Sequence, residues 1–376
     1  MLYRLADTLS EIWGPFRLLG SHALLLAGGT FSAAVLSWLA LGRFKNRLPR
    51  DRGKTILKDI GGMKSAGKPT GAGLVVSLAA LPAIALFAPL SFWDSAAVLA
   101  LYAAMLFGYL DDRATLPWGE LKKGLLDAAV SVAIAVFIFV GHSEEIVGGS
   151  RAMIAWLPFF KGTLVMNGVG VWAIPGWIYI PLAAAILWFT MNATNCSDGV
   201  DGLAGFLTVQ TLAMLAAVLY VVVGYRPVAH YFLIPVYAEA ARWAIVVMSV
   251  AGAFAGYLWY NAEPSELLMG DAGSRFLGIL VATATLMTGN PFLVLAIAPV
   301  VLVNGGGGLA KLVLLRTAKR LGRDIASDSV IRRIRFPLHD HCKKNLGWSN
   351  AQVLMRFTLL QAFAVPVFLL VLLKIR

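Results

Sequence analysis

Long apolar runs separated by short polar stretches follow each other along the whole chain. A helix needs about 20 apolar residues to cross a bilayer, whereas a transmembrane β-strand gives a shorter alternating pattern. The pattern therefore predicts an all-α polytopic membrane protein with about ten transmembrane helices in a single domain, residues 1–376. The run at 275–289 is short for a full span, so we expect it to lie deep in the bundle. The ten runs are 20–41, 72–91, 93–110, 122–141, 172–191, 203–224, 241–260, 275–289, 291–315 and 353–374.

The composition supports this class of protein. Of 376 residues, 59% are hydrophobic and 14% are charged, against about 45–50% and about 25% in a soluble domain. The net charge is +12, which in a soluble protein could indicate nucleic-acid binding. In a membrane protein, Lys and Arg concentrate in cytoplasmic loops. We therefore predict a membrane-lipid environment and no nucleic-acid partner.

Basic residues set the predicted orientation. They follow the first apolar run instead of preceding it, so we interpret this run as a retained anchor with its N-terminus outside. With alternating sides, the basic connections 42–71 and 316–352 lie in the cytoplasm and both termini lie outside. Residues 1–20 fit an interfacial helix or a simple polar lead-in. The outside stretch 142–171 predicts a loop or hairpin.

Acids, amides and histidines gather at the predicted inner face. Neighbouring carboxylates repel each other unless they are protonated or bridged by a cation. Mg²⁺ binds few protein carboxylates and completes its shell with water and substrate phosphate. The pattern therefore indicates a Mg²⁺-dependent site for phosphate chemistry on the cytoplasmic loops. The segments are Asp111–Asp112, Asn195–Gly202 with Asp198 and Asp201, Asn261–Ser274 with Asp271, and Pro337–His341 with His339 and His341.

Each segment also has a structural alternative. The Asp111–Asp112 pair could be a solvated helix end, and Asp198–Gly202 could be two turns or a fragment of a calcium loop. The histidines beside Cys342 could indicate zinc, although oxygen ligands dominate. Asp271 could simply cap a helix. Four such segments on one membrane face favour the functional interpretation.

Three motifs resemble one family. Asn192–Ala204 reads NATNCSDGVDGLA, Tyr109–Arg113 reads YLDDR, and Asn261–Ser274 contains N-x-x-P followed by MGDAGS. These resemble the signatures of polyprenyl-phosphate N-acetylhexosamine-1-phosphate transferases. The order and spacing of the motifs cover most of the chain.

Three further segments resemble the phospho-N-acetylmuramoyl-pentapeptide transferase branch: Gly67–Gly73, Leu157–Lys161, and Pro337–His341 with the later Leu346–Trp348. This resemblance implies transfer from UDP-MurNAc-pentapeptide to undecaprenyl phosphate, which gives lipid I and UMP. It also implies ten spans with periplasmic termini, Mg²⁺ as cofactor, a bacterial inner membrane and a homodimer. The runner-up is transfer of GlcNAc-1-phosphate to the same lipid. A transporter would place ionisable residues midway along the spans, and we expect span interiors nearly free of charge.

The resemblance also implies roles for individual residues. Asp271 is the expected Mg²⁺ ligand, with Asp111 and Asp112 near the metal and the lipid phosphate, and His339 would orient the pyrophosphate. The remaining substrate-binding candidates are Thr70, Asn195, Asp198, Gly199, Asp201, Asn261, Leu268, His341 and Lys64.

Four positions depart from the family pattern. Asp340 replaces the middle histidine of a triplet, and Lys343 stands where a glutamate is usual. Leu268 replaces an aromatic residue that stacks on uracil, and Ser65 replaces a lysine, although Lys64 is adjacent. These departures concern nucleoside contacts and leave the carboxylates unchanged.

Overall fold

The architecture is a bundle of long apolar helices with a small sheet at one end. The computed structural model describes residues 2–51, 65–114, 116, 118–146, 149–160, 162–166, 168–237, 239–322 and 329–374. The helices are α1 (Leu2–Ile12), α2 (His22–Phe44), α3 (Ala72–Phe87), α4 (Phe92–Arg113), α5 (Glu120–His142), α6 (Gly176–Cys196), α7 (Leu203–Ala217), α8 (Arg226–Tyr231), α9 (Ala240–Asn261), α10 (Gly270–Leu286), α11 (Leu293–Ile297), α12 (Pro299–Val301), α13 (Gly307–Arg320), α14 (Val330–Arg333), α15 (Leu338–Leu346) and α16 (Asn350–Lys374).

In the described part of the chain, eight helical segments are long and apolar enough to cross a membrane. These are α2, α4, α5, α6, α7 with its π-helical extension Val218–Val223, α9, the stretch Pro299–Arg320, and α16. Helix α3 is apolar but has only 16 residues, and α10 has 17. The chain is therefore a polytopic helical membrane protein, and the count of ten spans stays a prediction.

Helix α10 lies at the centre of the bundle. All of its residues from Ala272 to Leu286 are buried, and it packs against α3, α4, α6 and α7. This confirms the expectation that the short apolar run lies deep in the bundle. The helix begins earlier than that run, at Gly270, so the Met269–Ser274 motif forms its first turn.

The apolar run at 291–315 is broken instead of continuous. Helices α11 and α12 lead into a π-helical segment, Leu302–Gly306, and then into α13. A Cβ at Gly305 would lie 1.9 Å from the Ala193 carbonyl oxygen, so only glycine lets this segment touch α6. The widened turn brings buried Asn304 to the inner end of the bundle.

A four-stranded antiparallel sheet connects α5 to α6. Its strands are β1 (Glu144–Glu145), β2 (Arg151–Ala155), β3 (Leu164–Met166) and β4 (Val169–Pro175), in the order β1-β2-β4-β3. The predicted span 172–191 was wrong at its start, because β4 continues to Pro175 and α6 begins at Gly176. A short apolar run fits a strand and a buried helix equally well, and pairing with β2 decided the outcome.

Candidate active site

The C-terminal end of α4 and the N-terminal end of α10 meet through one carboxylate. Asp112 accepts hydrogen bonds from the backbone N–H groups of Asp271 at 3.1 Å and Ala272 at 3.2 Å. These N–H groups belong to the first turn of α10 and have no partner within that helix. Asp112 therefore caps α10 from a neighbouring helix and fixes the position of Asp271.

Glycine makes this approach possible. Gly270 has φ +69°, and a Cβ there would lie 2.3 Å from Asp112 Oδ2. Gly108, one turn before Asp112, would place a Cβ 2.4 Å from the Asp271 carbonyl oxygen. The carboxylates can come together only because two backbones touch without side chains between them.

Lys123 of α5 joins the acids. Its Nζ lies 2.5 Å from Asp111 Oδ2 and 3.7 Å from Asp271 Oδ2. Asp111 also accepts a hydrogen bond from the Trp118 N–H at 2.7 Å. One cation therefore bridges acids that come from two separate motifs.

A buried ion pair contacts the same cluster of acids. Arg275 donates to Asp127, and both side chains are almost completely buried. A second nitrogen of Arg275 lies 3.4 Å from Asp271 Oδ2. A buried charge is tolerated when it is paired and hydrogen-bonded, so this arrangement fixes Asp271 from its other side.

Carboxylates outnumber cationic side chains in this cluster. Asp111, Asp112, Asp127 and Asp271 face Lys123 and Arg275; when all six side chains are ionised, negative charge exceeds positive by two. Among the described residues, no three His, Cys, Asp or Glu side chains could hold a metal ion by themselves. Mg²⁺ commonly uses one or two carboxylates together with water and substrate phosphate. The donor set therefore fits Mg²⁺ held jointly with a substrate.

The glycine-rich segment 67–73 lies directly against the start of α10. The Leu268 N–H donates to the Pro69 carbonyl at 2.8 Å, and the Ala72 N–H donates to the Leu268 carbonyl at 3.0 Å. Thr70 is buried, and its N–H donates to the Pro49 carbonyl at 2.8 Å. Both backbone groups of Leu268 are thus engaged, and its side chain is half-buried.

The 195–202 loop is joined to the same region by four contacts. The Ser274 hydroxyl donates to Asn195 Oδ1 at 2.9 Å, and the Gly202 N–H donates to Asn261 Oδ1 at 2.8 Å. Asp201 accepts a hydrogen bond from the Ser265 N–H at 3.2 Å, and its Oδ2 lies 3.4 Å from Lys68 Nζ. Asp198 and Gly199 lie between these anchored ends.

Helix α15 carries two histidines, of which one is buried and the other half-buried. His339 is 1% exposed, and its Nε2 lies 2.2 Å from the point that a Cβ on Gly199 would occupy. His341 is half-buried, and its Nδ1 accepts a hydrogen bond from the Arg335 N–H at 3.2 Å. A neutral His341 therefore carries its proton on Nε2 and can donate it to an anion.

Direct contacts connect Asp112 with Asp271, and the 195–202 loop with Asn261 and, at Gly199, with His339. His341 contacts Arg335. Lys64 lies outside the described residues. Asn261 uses both ends of its amide within the chain, because its Nδ2 also donates to the Leu267 carbonyl at 2.8 Å. Tyr260, the nearest aromatic before Leu268 in the chain, lies at the end of α9, has Lys45 over its ring and donates to the Trp38 carbonyl.

Sequence reasoning missed Lys123, Asp127, Arg275 and Asn304. Lys123 and Arg275 lie within the first two turns of α5 and α10, and Asp127 lies one turn beyond Lys123, so these charges cluster near one end of their helices. Opposite charges inside apolar runs are a usable signal, because an ionisable residue at membrane depth normally has a partner. The zinc alternative gains no support, since burial raises the pKa of the Cys342 thiol and zinc binds the thiolate.

Comparison with known proteins agrees with the geometry. The model of one protein family, glycosyl transferase family 4, matches residues 95–289. A phospho-N-acetylmuramoyl-pentapeptide-transferase of Treponema pallidum subsp. pallidum is 39% identical over 367 residues, covering 97% of this chain and 94% of that protein. Proteins of the same name from Gemmatimonas aurantiaca and Ruegeria pomeroyi are 29% and 28% identical, covering 95% and 92% of this chain and the same shares of their own.

Proposed function

Because the chain belongs to the phospho-N-acetylmuramoyl-pentapeptide transferase family, we propose that its donor is UDP-MurNAc-pentapeptide and its acceptor is undecaprenyl phosphate. It is a membrane-bound transferase of phospho-MurNAc-pentapeptide in peptidoglycan synthesis. The products of the proposed reaction are lipid I and UMP. The expected location is the bacterial inner membrane, where the lipid acceptor and the cytoplasmic nucleotide meet.

One observation carries this proposal: three of the motif segments, Tyr109–Arg113, Asn192–Ala204 and Asn261–Ser274, meet at one acid cluster. Asp112 contacts the start of α10, Lys123 bridges Asp111 and Asp271, and the Asn195–Gly202 loop is bonded to Ser274. Carboxylates with an excess of negative charge suit a divalent cation, and a divalent cation lets two phosphate-bearing substrates approach each other.

We assign Asp271 as the principal Mg²⁺ ligand. Its side chain is 26% exposed, against 7% for Asp111, so it has the better access to a metal that substrate shares. Asp111 is the second candidate, since it faces the same Lys123 ammonium group. When bound, Mg²⁺ would screen the negative charges of the two substrates.

The proposed reaction forms one P–O bond and breaks another. An oxygen of the lipid phosphate attacks the phosphorus that carries the sugar, and UMP leaves with the electron pair of the broken bond. A phosphate monoester has a second pKa of about 6, so the lipid phosphate that attacks is mostly deprotonated at neutral pH. Asp112 is engaged by two backbone N–H groups and positions Asp271, so we favour direct attack over a covalent aspartyl intermediate.

A groove beside the site supports a lipid acceptor. Helices α5 and α6 enclose an open cavity of about 620 Å³ that is almost entirely apolar. It begins at Glu120 and Leu121, next to Lys123, and continues along α5 to Val132. An isoprenoid chain in this groove would leave its phosphate at the end nearest the acid cluster. The other lining residues are Gly124, Leu125, Ala128, Ala184, Ala185, Trp188 and Phe189.

We expect the purified protein to convert UDP-MurNAc-pentapeptide and undecaprenyl phosphate to lipid I and UMP in equal amounts, with Mg²⁺ required. Mass spectrometry of the lipid product measures this, with UDP-GlcNAc as the competing donor in a parallel reaction. A GlcNAc-pyrophosphoryl lipid instead of lipid I would support the runner-up enzyme. No lipid-linked sugar from either donor would contradict the proposal.

Orientation is a separate prediction. We propose periplasmic termini and cytoplasmic segments 42–71 and 316–352. Single-cysteine variants Ser150→Cys and Ser349→Cys, in a chain lacking Cys196 and Cys342, test it with an impermeant maleimide on intact cells. We expect labelling at position 150 at once and at position 349 only after permeabilisation. Immediate labelling at position 349 would contradict the orientation and the cytoplasmic site.

The family resemblance also leads us to propose a homodimer. Light scattering of the detergent-solubilised protein measures the oligomeric state. A mass of one chain of 40.3 kDa, after subtraction of the detergent, would contradict it.

A further inference from the structure

Asp340 is a buried acid in the histidine segment of α15. It is 6% exposed and stands where the motif that this loop resembles has histidine. A carboxylate buried to this extent needs a positive or hydrogen-bonding partner, since desolvation of the charge is costly. Asp340 Oδ1 lies 3.5 Å from His339 Nε2, so the histidine beside it in sequence is also an ionic partner.

The other side of the His339 ring is fixed by Asn304. The backbone N–H of His339 donates to Asn304 Oδ1 at 2.9 Å, which identifies that atom as the amide oxygen. The same Oδ1 lies 3.1 Å from His339 Nδ1. Two acceptors would repel each other at this distance, so Nδ1 must carry a proton.

With Nδ1 protonated, the state of Nε2 decides the charge of the ring. An unprotonated Nε2 would turn its lone pair towards the Asp340 carboxylate. A protonated Nε2 gives an imidazolium with the Asn304 oxygen as hydrogen-bond acceptor on one side and the Asp340 carboxylate as ionic partner on the other, which is the favourable arrangement in a site shielded from water. This ring lies directly beneath Gly199, whose missing Cβ leaves the space for Nε2.

We propose that Asp340 is a positioning residue that acts through His339. Its carboxylate holds the imidazole in the doubly protonated form, fixed between Asn304 and Gly199, and so supports the 195–202 loop that carries Asp198 and Asp201. This inference rests on the proposed function for its effect on turnover.

The charged groups around His339 come from each packed element. On α15 the described groups are Asp340 and, one turn after His339, Lys343; the π-helical segment offers Asn304, which does not titrate. The 195–202 loop contributes Gly199, with Asp198 adjacent in sequence. Helix α16, which packs on α15, carries Arg356, whose charge acts on Cys342. Within this set, Asp340 is the acid for which the structure gives a direct ionic contact with the ring.

The test is Asp340→Asn, measured as the pH dependence of kcat/KM in the full-length protein. Removal of an opposite charge makes the imidazolium easier to deprotonate. Activity that needs the imidazolium is then lost at lower pH. We expect the alkaline limb of the profile to move down by about 1 pH unit or more, with a fall in kcat/KM at pH 8. Asp340→Glu should restore part of the shift.

Two more variants keep the test decisive. Asp340→His inserts the residue of the family motif and is therefore expected to fold, and it should show the same downward shift because the carboxylate is gone. Asp340→Asn combined with Asn304→Asp moves the carboxylate to the opposite side of the ring and should return the limb towards its wild-type position. Profiles that superpose on the wild type in Asp340→Asn and Asp340→His would overturn the proposal.

Asp94 provides a matched control far from the site. It is 1% exposed, and its Oδ1 lies 2.8 Å from His142 Nε2, in the first turn of α4 at the opposite end from Asp111. Asp94→Asn should lower the melting temperature and leave the pH limb unchanged. An equal shift in this control would show that the alkaline limb of kcat/KM follows the general stability of the protein, and it would overturn the proposal.

One readout does not depend on turnover. Solid-state ¹⁵N spectra of histidine-labelled protein at pH 8 should show a ring with both nitrogens protonated, assigned by its loss in His339→Gln. Asp340→Asn should convert this signal to a singly protonated ring. A protein without transferase activity would contradict the proposed function alone, whereas a neutral His339 in the wild type would contradict the pairing alone.

Discussion

Asp271→Asn is expected to lose nearly all turnover while the protein still folds. The Asp271 side chain is more accessible than that of Asp111, at 26% against 7%, and Lys123 and Arg275 hold it from two sides. The amide keeps the shape of the side chain and removes the charge that would bind Mg²⁺. We expect kcat to fall about 1000-fold or more, which corresponds to about 4 kcal/mol of transition-state stabilisation.

A structural role for Asp271 predicts a different result. Aspartate at the start of a helix also stabilises it, but asparagine caps almost as well, so the melting temperature should change little. The control is Glu266→Gln, since Glu266 is a solvent-exposed acid of the same loop that pairs with Lys45 and should be nearly neutral. Near-normal activity of Asp271→Asn at saturating Mg²⁺ would refute the ligand assignment.

Gly108→Ala is the second variant for which we expect a large effect. A Cβ at Gly108 would lie 2.4 Å from the Asp271 carbonyl oxygen and 2.7 Å from the Ala272 nitrogen. Both contacts are with backbone, so α4 and α10 must separate by about 1 Å or more. This displaces Asp271 from Asp111 and Asp112 without changing any polar group. We expect kcat to fall about 100-fold, the cost typical of a 1 Å misplacement.

The KM for the nucleotide should change less than kcat, because the 195–202 loop is anchored separately to Asn261. The matched control is Gly42→Ala in the last turn of α2, where the new Cβ would meet only the Tyr260 hydroxyl, at 3.1 Å. Melting temperatures in detergent distinguish a displaced site from a destabilised bundle. A Gly108→Ala variant with wild-type kcat would contradict the claim that this helix contact sets the spacing of the acids.

Both predictions depend on how the cluster is built. Asp112 accepts two backbone N–H bonds at the start of α10 and so fixes the position of Asp271. Lys123 contacts Asp111 and Asp271. The protein itself therefore sets the spacing of these acids, and four carboxyl groups face two cationic side chains there.

Much of the architecture follows from patterns within single segments. Apolar runs long enough to cross a bilayer predict the helices, and the shortness of the 275–289 run predicts a buried position. The start of α6 was misplaced because Val169–Pro175 is as apolar as a helix. Local hydrophobicity does not distinguish a strand from a helix when the deciding hydrogen bonds come from β2.

The sequence by itself determined the class of protein and the chemical family, and it predicted the acids of the site, because each depends on residue type and local spacing. Tertiary structure alone decided which groups touch: that Asp112 caps α10, that Lys123 bridges Asp111 and Asp271, and that Asn304 orients His339. These pairs are separated by 12 to 160 positions along the chain. No periodic pattern carries information over such distances, because close backbone packing at particular glycines sets which helix ends meet.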